Sequence, residues 1–98
     1  MASKKRAIST DGAPTPTGPF NQAIRMGNLV FTSGQAGRNR ETGKMGDICD
    51  QARRCIGNIS AILEAAGASL EDVVKVTVYL RDAEDANDFN DEYRKLMP

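Results

Sequence analysis

Residues 18–37, GPFNQAIRMGNLVFTSGQAG, constrain this chain more than any other stretch. Two alternating apolar runs flank Met26-Gly27-Asn28, the pattern of a β-hairpin. Gly18-Pro19 precedes the first run, and Ser33-Gly34-Gln35-Ala36-Gly37 follows the second. Glycine after a strand lets backbone come close to a ligand or to another subunit, because no Cβ intervenes. The segment predicts a rigid platform with a polar, glycine-rich rim, suited to binding something small.

The 98 residues predict one domain, spanning 1–98. A chain of this length buries a limited fraction of its surface, so a modest stability is expected without help from disulfides, a metal or self-association. Cys49 and Cys55 lie on what reads as one helix, about 120° apart around its axis and roughly 9 Å apart along it. A disulfide needs Cα atoms within about 7 Å. Free thiols suit a reducing compartment. The chain has no histidine, and two misaligned cysteines do not complete a tetrahedral metal site. Self-association is the favoured source of further burial. The lack of histidine also excludes Ser-His-Asp and Cys-His catalysis within one chain.

Thirteen basic and thirteen acidic residues leave no basic surplus for nucleic acid, and Lys4-Lys5-Arg6 reads as a solvated end. No apolar run reaches the roughly 20 residues that span a bilayer, and no secretory core opens the chain. A soluble cytoplasmic protein without membrane partners is expected, with an organelle-targeting reading of the basic start left open.

Along the chain, Ala7-Ile8-Ser9 predicts a short edge strand, and Pro14, Pro16 and Pro19 predict irregular structure over 10–19. Glu41-Thr42-Gly43-Lys44 reads as a tight turn. Ile48, Ala52, Cys55, Ile56, Ile59, Ile62, Leu63 and Ala66 share one helical face, with Asp47 as N-cap and Gly67 ending the helix at positive φ. Gly57, inside that helix, reads as a site of close packing against the sheet. Ser69-Leu70-Glu71-Asp72 fits a capping box on one turn. Residues 73–80, VVKVTVYL, alternate as a strand with apolar side chains on both faces, one to meet the helices and the other a neighbouring subunit or ligand. Asp82 and Asp85 open a second helix striped by Ala86, Phe89, Tyr93 and Leu96.

This order of elements, with several motifs, resembles the Rid family of enamine and imine deaminases, also known as the YjgF or L-PSP endoribonuclease family. The matching residues are Gly18-Pro19-Phe20-Asn21-Gln22-Ala23, Gly27-Asn28, Thr32-Ser33-Gly34-Gln35 and Thr42-Gly43. They continue with Gln51-Ala52-Arg53, Asn58, Glu64-Ala65-Ala66-Gly67, Asp72-Val73-Val74-Lys75, Val78-Tyr79-Leu80-Arg81-Asp82, Asn90 and Tyr93. The resemblance implies an α+β fold, chorismate-mutase-like, in which a mixed β-sheet carries two helices on one face. It also implies a homotrimer with clefts between subunits and no cofactor. The implied reaction is that of a 2-iminobutanoate/2-iminopropanoate deaminase, which hydrolyses reactive imines to 2-keto acids and ammonia.

Carried over by position, the substrate-binding residues are Phe20, Ser33, Gly34 and Asn90. Phe20 packs on the substrate's aliphatic part or is a core aromatic beside a proline. Ser33 holds a polar group or water, or closes a strand end. Gly34 presents its N–H to a carboxylate or a reacting water, or makes a turn. Asn90 faces a neighbour's cleft or caps local backbone. The family's usual tyrosine is Phe20 here, which removes a hydroxyl. Family members also continue through a Pro-Ala-Arg-like motif and a final strand. Its arginine is thought to clamp the substrate carboxylate and a glutamate to activate water. Neither has a counterpart in these residues, so the domain is expected to be C-terminally incomplete and impaired, and no catalytic residue is assigned. Arg25, Arg38, Arg40 and Arg81 are candidate substitutes for that clamp, with solvated surface the favoured reading of each. The alternatives are a non-catalytic trimer binding a small 2-imino or 2-keto acid and, on weaker grounds, an endoribonuclease or translation inhibitor.

Overall fold

Strands β1 (Lys5–Ile8), β2 (Ala23–Met26) and β3 (Leu29–Thr32) form an antiparallel sheet in the order β1-β2-β3. The computed structural model describes residues 4–38 and 41–98. Gly27 turns the β2–β3 hairpin at φ 59°, while Asn28 keeps a negative φ, the signature of a type II′ loop. Cross-strand partners share a face of the sheet. Ile8 stands opposite Ala23, and Arg25 opposite Val30. Ile8, Ala23 and Val30 pack with Ala13, Ile62 and Ala66 as the core. The other face carries Ala7, Ile24 and Phe31 in one row, and Lys5, Met26 and Leu29 in the next. On that face Phe31 is 61% and Leu29 58% exposed.

Helix α1 (Ile48–Ala65) begins where Asp47 accepts a 2.8 Å hydrogen bond from the Asp50 N–H. It ends before Gly67, whose φ of 81° is strained for any residue with a Cβ. Ala52, Ile56, Ile62 and Leu63 are buried, as the helical period predicts. The Ser69 N–H is received by the Asp72 carboxylate at 2.9 Å, closing a single 3-10 turn. A second such turn leads into α2 (Ala86–Leu96). Asp82 and Asp85 occupy the entries to these last two elements, yet neither side chain caps one. Within α2 the Phe89 and Tyr93 rings lie 5.8 Å apart.

The first strand lies at Lys5–Ile8 instead of 7–9, so Lys5 and Arg6 of the basic cluster enter the sheet. Residues 73–80 join no ladder, and the sheet among the described residues is three-stranded and antiparallel rather than mixed. Alternation encodes which side chains share a face; it does not supply a partner for the backbone, and an unpaired segment is not a strand. Val74 is 96% and Tyr79 92% exposed there. Gly57 makes no close packing: it is exposed, and a Cβ would meet nothing. The hydrophobic period places it on the solvent side of α1.

Candidate functional site

The rim after β3 is built from Gln22 upward. Gln22 is 4% exposed although it lies beside exposed loop. Its Oε1 accepts from the Thr10 N–H at 2.7 Å, and its Nε2 donates to the carbonyls of Thr10 (3.1 Å), Ala13 (3.3 Å) and Pro14 (3.0 Å). A buried carboxamide must find such partners, and here they strap the proline-rich loop onto the start of β2. The Gln22 carbonyl accepts the Ser33 N–H at 2.8 Å, and the Ser33 hydroxyl donates to the Asn21 carbonyl. Ser33 therefore closes the open end of the hairpin. Gln22 belongs to the family-like motif, but no sequence signal separates a strapping glutamine from a solvated one.

Phe20 and Gly34 flank this closure in the chain. Phe20 is 68% exposed, which removes the core-aromatic reading, and its ring lies over Gly18. Gly34 is exposed, makes no hydrogen bond among the described residues, and would meet nothing with an added Cβ. Asn90 is exposed on α2 and bonds to none of the other three. Three of the four candidates thus gather at one end of the hairpin, and the fourth stands on a separate element.

The cations do not gather there. The Arg25 guanidinium donates to the Ala66 carbonyl at 2.6 Å and to the Gly27 carbonyl at 3.2 Å, so it caps the end of α1. Arg38 and Arg81 are exposed, Arg38 forming a bridge with Met45, and Arg40 lies outside the described residues. Arg53 reaches Glu92, 8% exposed, at 3.2 Å, and Lys95 reaches the same carboxylate at 3.1 Å. The Lys95 hydrogen bond, with Arg53 nearby, holds Glu92 below its ordinary pKa. This pairing joins α2 to α1, and the alternating charges of α2 give no hint of it.

Burial pushes both the Cys49 and Cys55 thiols up, away from the thiolate form. The Cys55 thiol instead donates to the Gln35 carbonyl at 3.2 Å. No group of three or more metal-ligating side chains occurs among the described residues, and no helix of the described residues is long and apolar enough to cross a membrane. A groove of about 440 Å³ runs between residues 70–76 and the end of α2, lined by Leu70, Val73, Val76, Tyr93 and Met97 among others. None of the four candidates lines it.

Residues 10–98 match the sequence family described as "Endoribonuclease L-PSP". A RutC family protein of Pyrococcus abyssi is 54% identical over 95% of this chain and 75% of its own. The 2-iminobutanoate/2-iminopropanoate deaminase of Dermatophagoides farinae is 46% identical over 97% of this chain and 76% of its own. Among solved structures, RidA from an Antarctic Psychrobacter superposes with a TM-score of 0.89 at 40% identity, covering 95% of this chain and 76% of that one. Escherichia coli TdcF with bound serine gives 0.87 at 40% identity, covering 92% and 72%. The chain spans about three quarters of these relatives. On sequence and fold together, the chain belongs to the Rid/YjgF/L-PSP family.

Proposed function

We propose that the chain binds small 2-imino acids at the Phe20–Ser33–Gly34 rim and hydrolyses them. In this reaction water adds across the C=N bond, ammonia departs, and the carbon is left as a ketone. Likeness to the D. farinae deaminase over nearly the whole chain carries this reading. The rim supports it: Gly34 offers an N–H unengaged among the described residues, and Phe20 an exposed apolar ring on the other strand of the closed hairpin end. Three copies packing their outer sheet faces would cover Phe31, Leu29 and Met26 and bring Asn90 of one copy toward the rim of the next. Two unpaired thiols favour a reducing compartment such as the cytoplasm.

The 98 residues contain no Pro-Ala-Arg motif, and Arg25 is committed to the end of α1. Paired recognition of a carboxylate by guanidinium is not replaced by a distant cation. The commitment of Arg25 to the end of α1 favours binding without catalysis as the second reading. Ammonia release from 2-iminopropanoate generated in situ, with and without the protein, separates the two. A rate above the spontaneous one supports the deaminase. Saturable binding of 2-ketobutyrate with no acceleration supports the second reading, and neither effect overturns both.

A further inference from the structure

We infer that Ser33 meets a ligand as a hydrogen-bond acceptor only, and so selects 2-substituted acids whose substituent carries a proton. This rests on the rim being the binding site. Serine has two donors, its N–H and its O–H, and the hydroxyl oxygen has two lone-pair sites. The Ser33 N–H is given to the Gln22 carbonyl at 2.8 Å. The hydroxyl faces the Asn21 carbonyl, which cannot donate, so the hydroxyl proton lies on that line. Both donors are thereby committed, and what Ser33 still offers is lone pairs.

The two carbonyls that impose this are held in place. They belong to consecutive residues, and the Gln22 carboxamide is anchored by four hydrogen bonds to the loop at 10–14. Its orientation is determined by its partners, since the Thr10 N–H requires an acceptor and three carbonyls require a donor. Next in the chain, the Gly34 N–H is unengaged and has no side chain to screen it. The rim thus presents an acceptor and then a donor. A carboxylate takes the donor, and an N–H or O–H on the adjacent carbon takes the acceptor. A keto oxygen there would set lone pairs against lone pairs. Conversion of an imine N–H to a ketone oxygen would turn an attractive contact with Ser33 into a repulsive one and favour product release.

The test compares 2-hydroxybutyrate with 2-ketobutyrate, which have the same charge and carbon skeleton and differ in one donor, alongside 2-aminobutyrate. Dissociation constants are measured by NMR titration of the full chain and of Ser33→Ala. The parent is expected to bind the hydroxy acid about tenfold more tightly than the keto acid, the worth of one hydrogen bond. Ser33→Ala should bring the ratio to near one by weakening the hydroxy and amino acids alone. Equal affinities in the parent, or tighter binding of the keto acid, overturn the inference while leaving the rim as a binding site. Persistence of the preference in Ser33→Ala also overturns it. Failure of all three ligands to bind the parent overturns the binding reading and this one with it. Equal or inverted affinities in the parent overturn the inference even if Ser33→Ala does not fold.

Discussion

Gly37 is where the rim loop meets α1, and adding one methyl group there should break that contact. A Cβ on Gly37 would lie 2.3 Å from the Gln51 Cα, 2.5 Å from its Cβ and 2.6 Å from its carbonyl oxygen. Ordinary carbon contacts begin near 3.5 Å, so the loop and helix must separate by about 1 Å. Two of the three atoms are backbone, and no rotamer change relieves the overlap. Overpacking costs about 1–3 kcal/mol where side chains yield; with backbone on both sides the upper end applies, about 3 kcal/mol, or a fall in Tm on the order of 15 °C for a domain of this size. The shift would also stretch the bond from the Cys55 thiol to the Gln35 carbonyl, two residues away. Thermal and urea unfolding of Gly37→Ala, followed by far-UV circular dichroism, measures the loss. Gly57→Ala is the control, since its Cβ meets nothing and an exposed helical glycine gives way to alanine with a gain of about 0.5–1 kcal/mol. The reasoning fails if Gly37→Ala unfolds within 0.5 kcal/mol of the parent, roughly the effect of an ordinary surface change.

Glu92 makes stability depend on acidity. Its pKa is depressed in the folded chain, so its contribution is complete above the unfolded glutamate value of about 4.3 and is lost as pH falls through the lower folded value. Denaturant midpoints across that range should decline, and Glu92→Gln should flatten the decline; an unchanged slope would refute the role given to the Arg53 and Lys95 pair. The outer sheet face should govern assembly: sedimentation of the parent is expected to give a trimer, and Leu29→Glu with Phe31→Glu a monomer. A monomeric parent would remove the proposed intersubunit cleft.

Helix α1 is legible in the sequence because three signals agree: the apolar period, Asp47 before it and Gly67 after it. The hairpin is legible because Gly27-Asn28 interrupts alternation at the length of a two-residue loop. Residues 73–80 mislead because pairing is a property of two segments, and one segment's alternation carries no record of the other. The position of Gly57 is readable in retrospect from α1's period; close packing is merely the commoner reason for a helical glycine. At the rim, sequence similarity points to Ser33 and Gly34, whereas their hydrogen-bonding polarity depends on carbonyls that only the folded backbone aligns. Arg25 looks like a mobile cation until the end of α1 is seen beneath it.

Among the described residues, Ile62 is the one large side chain wholly sealed from water, while Phe31, Leu29, Val74 and Tyr79 lie open. A lone copy is thus held by a slender interior of alanines and isoleucines, with much of its oiliest surface on the outside. By mass action, anything that covers that surface deepens the folded state. Under the proposed trimer, the integrity of the fold becomes a function of abundance: dilution would loosen it, crowding with its own kind would tighten it, and an occupant of the bare sheet would act as a folding ligand.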